Sequence, residues 1–75
     1  MNKQWNKIDE GLYERSFPVG DFVRVERDED AGLWHWQVFC GHCLRPHTEG
    51  RHSVLSEAKR LASYYYALYK ERGLI

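Results

Sequence analysis

The sequence predicts an α+β domain in which an antiparallel meander of three to four strands carries one C-terminal helix on one face. Two observations lead to this fold class. The segment from Leu33 to Cys40 places an apolar residue at every even position, which is the period of a half-buried strand. Residues 56–72 instead repeat apolar side chains at helical spacing, so a long amphipathic helix follows the strands.

The strands are predicted in chain order and are separated by turn residues. They are expected at residues 12–17, 21–27 and 33–40, with a short fourth strand near residues 48–52. Pro18-Val19-Gly20 has the composition of a turn, because proline presets φ and glycine adopts positive φ. The acidic loop at residues 28–32 ends on Gly32 and predicts a hairpin. Residues 1–11 are interpreted as a polar lead-in, and residues 12–75 as one domain.

The helix carries an apolar face about 140° wide on a helical wheel, which is wide enough to cover a sheet. Its members are Leu55, Ala58, Leu61, Ala62, Tyr65, Leu68 and Tyr69. Ser53 or Ser56 is expected to cap the start of the helix, and Gly73 is expected to end it. The opposing sheet face is expected to hold Trp34, Trp36 and Val38, joined by Val23 and Val25.

The charge balance favours a protein partner. Eleven basic and eleven acidic residues give a formal net charge of zero, whereas binding to a phosphate backbone usually requires a basic excess. We see no signal peptide and no apolar run of the ~20 residues that span a bilayer. A cytoplasmic protein of the host cell, without membrane attachment, is therefore expected. At 75 residues the core is small, so a homodimer is a further expectation.

Two cysteines and two histidines form the one candidate metal set. Cys40 and Cys43 have the spacing by which two thiolates reach one Zn²⁺, and His47 and His52 could complete a tetrahedral site. Two alternatives stay open: a redox site, and no cofactor at all. Cys40-Gly41-His42-Cys43 matches the four active-site letters of protein disulfide isomerases, Cys40 could be a small buried hydrophobe, and Cys43 could be an incidental turn thiol. Without a secretory signal, a structural disulfide is not expected.

Three consecutive tyrosines mark the helix as a candidate binding element. If Tyr65 points into the sheet, Tyr64 and Tyr66 lie on opposite shoulders, each about 100° away. Tyrosine is a frequent binding anchor because it covers a large area at low entropic cost. The alternative is that both shoulders cover the sheet edges. No arrangement of residues typical of catalysis is found, so an enzyme is not expected.

Two family resemblances concern residues 50–62, together with Ala67 and Leu68. This segment resembles the last hairpin and final helix of double-stranded RNA-binding domains, and it looks like the sheet-plus-helix arm-binding domains of phage-type integrases. Either resemblance implies a nucleic-acid-binding module. The basic residues available for it are Arg15, Arg24, Arg45, Arg51, Lys59 and Arg60.

The size and architecture resemble the small accessory proteins encoded by phages and other mobile elements, anti-CRISPR proteins among them. That resemblance implies a non-enzymatic protein that blocks or modulates a host protein or complex by steric occlusion, for example an inhibitor of host defence. A nucleic-acid-binding module is the alternative, and a zinc-stapled domain is the third hypothesis. The candidate partner-binding residues are Tyr64, Tyr66, His35, Gln37, Arg24, Arg45, His47, Arg51 and His52.

Overall fold

The computed structural model describes residues 5–42 and 44–75, which form a five-stranded antiparallel sheet followed by one helix. The elements in chain order are β1 (Trp5–Asp9), β2 (Leu12–Ser16), a short 3₁₀ turn (Pro18–Gly20), β3 (Phe22–Asp28), β4 (Leu33–Phe39), β5 (Thr48–His52) and α1 (Leu55–Glu71). The α+β class is confirmed.

The number of strands differs from the prediction of three to four. All five strands pair with their chain neighbours, in the order β1-β2-β3-β4-β5. The additional strand is β1, which lies within the segment interpreted as a polar lead-in and pairs Trp5 with Arg15 of β2. Four of its five residues are exposed, so β1 lacks the apolar alternation by which a strand is recognised.

The core lies between the helix and one face of the sheet, as predicted. Val23, Val25 and Val38 are fully buried, and Trp36 lies beside them. Tyr65 of α1 stacks on Trp36 with ring centroids 5.1 Å apart and the ring planes 5° from parallel. Val23 pairs with Val38 and Val25 pairs with Trp36, so the two central strands align their apolar residues on this face.

The connection between β2 and β3 contains the fold's most unusual backbone. Val19 adopts φ 60°, the left-handed region that a β-branched residue rarely occupies. A Cβ built on Gly41 would lie only 2.6 Å from the carbonyl oxygen of Val19. The chain after β4 therefore passes directly over this turn. Gly41 is therefore required by the close approach of two backbones.

The ends of the helix follow the predicted rules at one terminus only. The prediction that Ser53 or Ser56 caps the start of the helix is wrong: Val54 occupies the N-cap position, and no side chain makes a capping hydrogen bond there. At the other end Gly73 has φ 71°, and the amides of Gly73 and Leu74 donate to the carbonyls of Lys70 and Tyr69. This is a Schellman ending, which glycine favours.

Within the described part of the chain, no helix is both long enough and apolar enough to cross a bilayer.

Candidate binding surfaces

The helix covers one face of the sheet, and the other face, called the open face below, is covered by no helix. Strand alternation places these residues on it: Leu12, Glu14, Phe22, Arg24, Glu26, Asp28, Leu33, His35, Gln37, Phe39, Glu49 and Arg51. The open face is therefore a continuous surface across β2 to β5.

An aromatic pair lies at one end of the open face, and Phe39 is only 7% exposed. Phe22 and Phe39 are directly paired across β3 and β4, and their rings stack with centroids 4.7 Å apart. The guanidinium of Arg24 lies over both rings, 5.6 Å from the Phe22 centroid and 5.3 Å from that of Phe39. Arg24 also forms an ion pair with Glu14 at 2.8 Å, so its head group is fixed above the rings.

The charges of the open face are mixed but lean acidic. The carboxylates are those of Glu14, Glu26, Asp28 and Glu49, and the guanidiniums are those of Arg24 and Arg51. Arg51 pairs with Asp28, and His35 pairs with Glu49. Hydrogen bonds from the backbone of Ala31 and from Arg51 hold the pKa of Asp28 below its usual value, although partial burial opposes them.

Four of the predicted partner-binding residues come together on this surface. Arg24 lies directly opposite Gln37, and His35 lies directly opposite Arg51. The side-chain oxygen Oε1 of Gln37 is buried without a hydrogen-bond partner among the described residues. Buried polar atoms are normally hydrogen-bonded, so this oxygen stands out as an acceptor at the centre of the face.

The prediction that Tyr66 is an exposed anchor is wrong. Tyr66 is 7% exposed, its ring stacks on Phe17 at 3.8 Å, and its hydroxyl donates to Asp21 Oδ2. The buried side chains of α1 are Ala58, Ala62 and Tyr66. The buried face is therefore centred on Ala62, about 40° around the helix from Ala58, and not on Tyr65. The two shoulders are consequently not equivalent.

Tyr64 lies on the exposed side of the helix, as predicted. It is 53% exposed, and its ring meets that of Tyr65 edge-on at 5.1 Å. Tyr64 belongs to α1, which packs on the face of the sheet opposite the open face. The structure therefore does not bring Tyr64 together with Arg24, His35, Gln37 and Arg51.

The remaining predicted residues lie apart from the open face. Arg45 and His47 belong to the exposed connection before β5, where the amide of His47 donates to the carbonyl of Val38. His52 is paired with Trp34 and thus lies on the helix side of β5. Its Nδ1 accepts a hydrogen bond from the amide of Val54 at 3.0 Å, which gives His52 a structural role at the start of α1.

The candidate metal set is described only in part, because Cys43 lies outside the described residues. Within residues 5–42 and 44–75, no three histidine, cysteine, aspartate or glutamate side chains are grouped so that they could hold a metal ion. Cys40 is disulfide-bonded, which corrects the expectation that a structural disulfide is absent. A disulfide sulfur is not the thiolate that zinc binds.

A second surface, called the basic groove below, lies between the helix and the edge of the sheet. It has a volume of about 670 Å³. The described residues that line it are Trp5, Arg15, Val54, Leu55, Ser56, Lys59, Arg60 and Ser63. In the sequence, Arg15, Lys59 and Arg60 are scattered among other basic residues, and only the pairing of β1 with β2 places Trp5 beside Arg15.

The cations of the basic groove are held by neutral groups more than by carboxylates. Arg15 Nη1 donates to Ser63 Oγ at 2.9 Å, and the Arg15 guanidinium lies 4.7 Å from the Phe17 ring. Lys59 Nζ lies 4.3 Å from the Tyr13 ring centroid and 5.6 Å from that of Trp5. Arg60 is the exception, since it pairs with Glu57 at 2.8 Å.

Comparison of the chain with protein-family models, curated proteins and solved structures finds no match.

Proposed function

We propose that this chain is a small non-enzymatic binding protein whose interface is the open face of the sheet. The carrying observation is the stacked Phe22–Phe39 pair beneath the Arg24 guanidinium, with charged side chains farther along the same face. Aromatic residues and arginine are enriched among the binding anchors of protein interfaces.

The charge of the open face supports a protein partner with a basic patch. Four carboxylates against two guanidiniums leave the face acidic, and Glu26 forms no ion pair with any described residue. A phosphate backbone would be repelled by this surface, whereas lysine and arginine side chains of a protein would be attracted to it. Nucleic acid is therefore the less favoured partner for this face.

The mechanism that we propose is steric occlusion. A sheet face of four strands can cover a complementary patch on a host protein or complex, and it needs no chemical step to block access to that patch. The resemblance to phage-encoded accessory proteins makes a host-defence protein the expected target. Tyr64 lies on the other side of the domain and is not part of the proposed interface.

The proposal can be tested with charge-reversed variants that keep the net charge matched. Glu26→Lys changes the open face, and Glu71→Lys changes an exposed position on the helix by the same charge. The partner is first captured from the native host with the unmodified chain and then purified, and its affinity for each variant is measured by calorimetry. We expect Glu26→Lys to weaken binding by more than about 1 kcal/mol and Glu71→Lys to leave it unchanged.

Two outcomes would contradict the proposal. Equal affinity of both variants for the purified partner would place the interface elsewhere. Co-purification of nucleic acid in place of a protein, with affinity that falls steeply as salt is added, would support the alternative nucleic-acid-binding module.

A further inference from the structure

The basic groove concentrates positive charge in a chain whose total charge is zero. Its described lining residues include Arg15, Lys59 and Arg60 and no acidic residue. Among the ion pairs of the described residues, no carboxylate pairs with Arg15 or with Lys59. Two cations in this groove are thus left without a counter-charge, while the open face on the other side of the sheet is acidic.

The groove also offers an apolar wall beside these cations. Trp5 is half-buried, so part of its indole is accessible, and Val54 and Leu55 line the same space. A volume of about 670 Å³ lies within the range of small-molecule sites, about 300–1,000 Å³. A ligand that suits this groove therefore combines an anionic group with a flat apolar one.

We propose that the basic groove binds a nucleotide, either free or as one unit of a single strand. The phosphate would lie between the head groups of Arg15 and Lys59, the two cations without a carboxylate partner, because guanidinium and ammonium groups donate charge-assisted hydrogen bonds to phosphate oxygens. The base would lie against Trp5 and Leu55, since bases stack on aromatic side chains whatever their sequence. The first turn of α1, at Leu55 and Ser56, adds the positive end of the helix dipole.

The site is independent of the interface proposed above. The basic groove lies on the helix side of the sheet, and the open face lies on the other side. Loss of nucleotide binding would therefore leave the proposed protein interface unaffected, and the reverse also holds.

The test is a nuclear magnetic resonance titration of the full chain at low salt, read at the indole N–H resonance of Trp5, which a Trp5→Phe variant assigns. The probes are adenosine monophosphate, adenosine, inorganic phosphate and a short single-stranded oligonucleotide. We expect adenosine monophosphate to shift this resonance at lower concentration than adenosine or phosphate alone. Tighter binding of the oligonucleotide would identify a strand as the source, and equal binding would identify the free nucleotide.

Two variants that each remove one positive charge distinguish a loss of affinity caused by the groove from one caused by the change in net charge. Lys59→Gln removes a cation of the groove, whereas Arg72→Gln removes an exposed cation after the C-terminus of the helix. We expect Lys59→Gln to lower the affinity about tenfold or more and Arg72→Gln to leave it within twofold of the unmodified chain. The dispersion of the remaining resonances shows that each variant is folded.

Three results would overturn the proposal. The Trp5 resonance could stay unchanged with every probe at millimolar concentration, or Arg72→Gln could lose as much affinity as Lys59→Gln. The third is a dimer at low salt that Lys59→Gln disrupts, because the groove would then be occupied by the acidic open face of a second copy.

Discussion

The hydroxyl of Tyr66 donates a hydrogen bond to Oδ2 of Asp21 at 2.9 Å, across 45 residues of sequence. Asp21 is 4% exposed. Its carboxylate also accepts hydrogen bonds from the amide of Gly41 at 3.0 Å and from Nζ of Lys70 at 3.4 Å. One carboxylate therefore joins the helix, the turn before β3 and the chain after β4. A buried carboxylate is stable only with such partners.

Removing the hydroxyl of Tyr66 is expected to destabilise the fold. Tyr66→Phe keeps the ring stacked on Phe17 but deprives Asp21 of one donor. Because hydrogen bonds to a charged group contribute more than neutral ones, we expect the free energy of unfolding to fall by about 1–3 kcal/mol at neutral pH. Urea denaturation measures this change. Tyr64→Phe at the exposed shoulder serves as the control and should stay within about 0.5 kcal/mol of the unmodified chain.

The same tyrosine makes stability depend on alkaline pH. Burial and the hydrogen bond to Asp21 raise the pKa of Tyr66 to about 12 from 10.0. The folded state therefore binds this proton more tightly than the unfolded state. The contribution is fully present below pH 10 and is lost as the pH rises through about 12, by roughly 3 kcal/mol.

Unfolding free energies measured between pH 9 and pH 12 test this dependence. Tyr66→Phe should lose this part of the alkaline decline, and Tyr64→Phe should retain it. Parallel curves for the unmodified chain and Tyr66→Phe would show that Tyr66 does not carry the effect.

Asp21 makes stability depend on acidic pH. Burial by itself raises the pKa of Asp21, but the hydrogen bonds from Tyr66, Gly41 and Lys70 outweigh it and hold the pKa below its usual value. The contribution is therefore present above the unfolded pKa of about 3.9 and is lost as the pH falls through the lower folded value. Asp21→Asn should flatten that part of the stability profile below pH 4, as followed by circular dichroism. An unchanged slope in Asp21→Asn would contradict the assignment.

Gly50 is predicted to be indispensable for the packing of the Trp36 indole. A Cβ at this position would lie 2.6 Å from Cζ2 and 2.8 Å from Cε2 of that ring, which is itself stacked on Tyr65. Gly50→Ala should therefore cost about 1–3 kcal/mol, since the displaced indole overpacks the core.

A glycine with free space around it provides the contrast. Gly32 has φ 68° and no atom within 4 Å of an added Cβ, so Gly32→Asn should be nearly neutral because asparagine tolerates this backbone region. Thermal unfolding of both variants measures the difference. Equal melting temperatures would mean that the Trp36 ring moves aside freely.

Much of the fold could be predicted from the sequence because its signals are local. The alternation of Trp34, Trp36 and Val38 predicted β4 and the face that meets the helix, and Gly73 predicted the end of α1. The same alternation of side chains along the strands placed Arg24 and Gln37 on the face of the sheet that points away from the helix. Each of these inferences needs only the period of one element and the residue beside it.

Other features depend on partners far away in the chain. Strand β1 is mostly exposed, and it exists because β2 offers an edge to which it can bond. Tyr66 and Tyr64 are equivalent on a helical wheel centred on Tyr65, and the location of Asp21 decides which of them is buried. The basic groove likewise requires Trp5 of β1, Arg15 of β2 and Lys59 of the helix to be brought together by the fold.

The sequence by itself determined the α+β class, the apolar face of the meander and the span of the helix, since periodicity and turn residues encode them locally. Only the tertiary structure decided the fifth strand, the rotation of the helix about its axis and the separation of charge into an acidic face and a basic groove. The physical reason is that these features arise from contacts between residues distant in sequence, whose energies no local pattern contains.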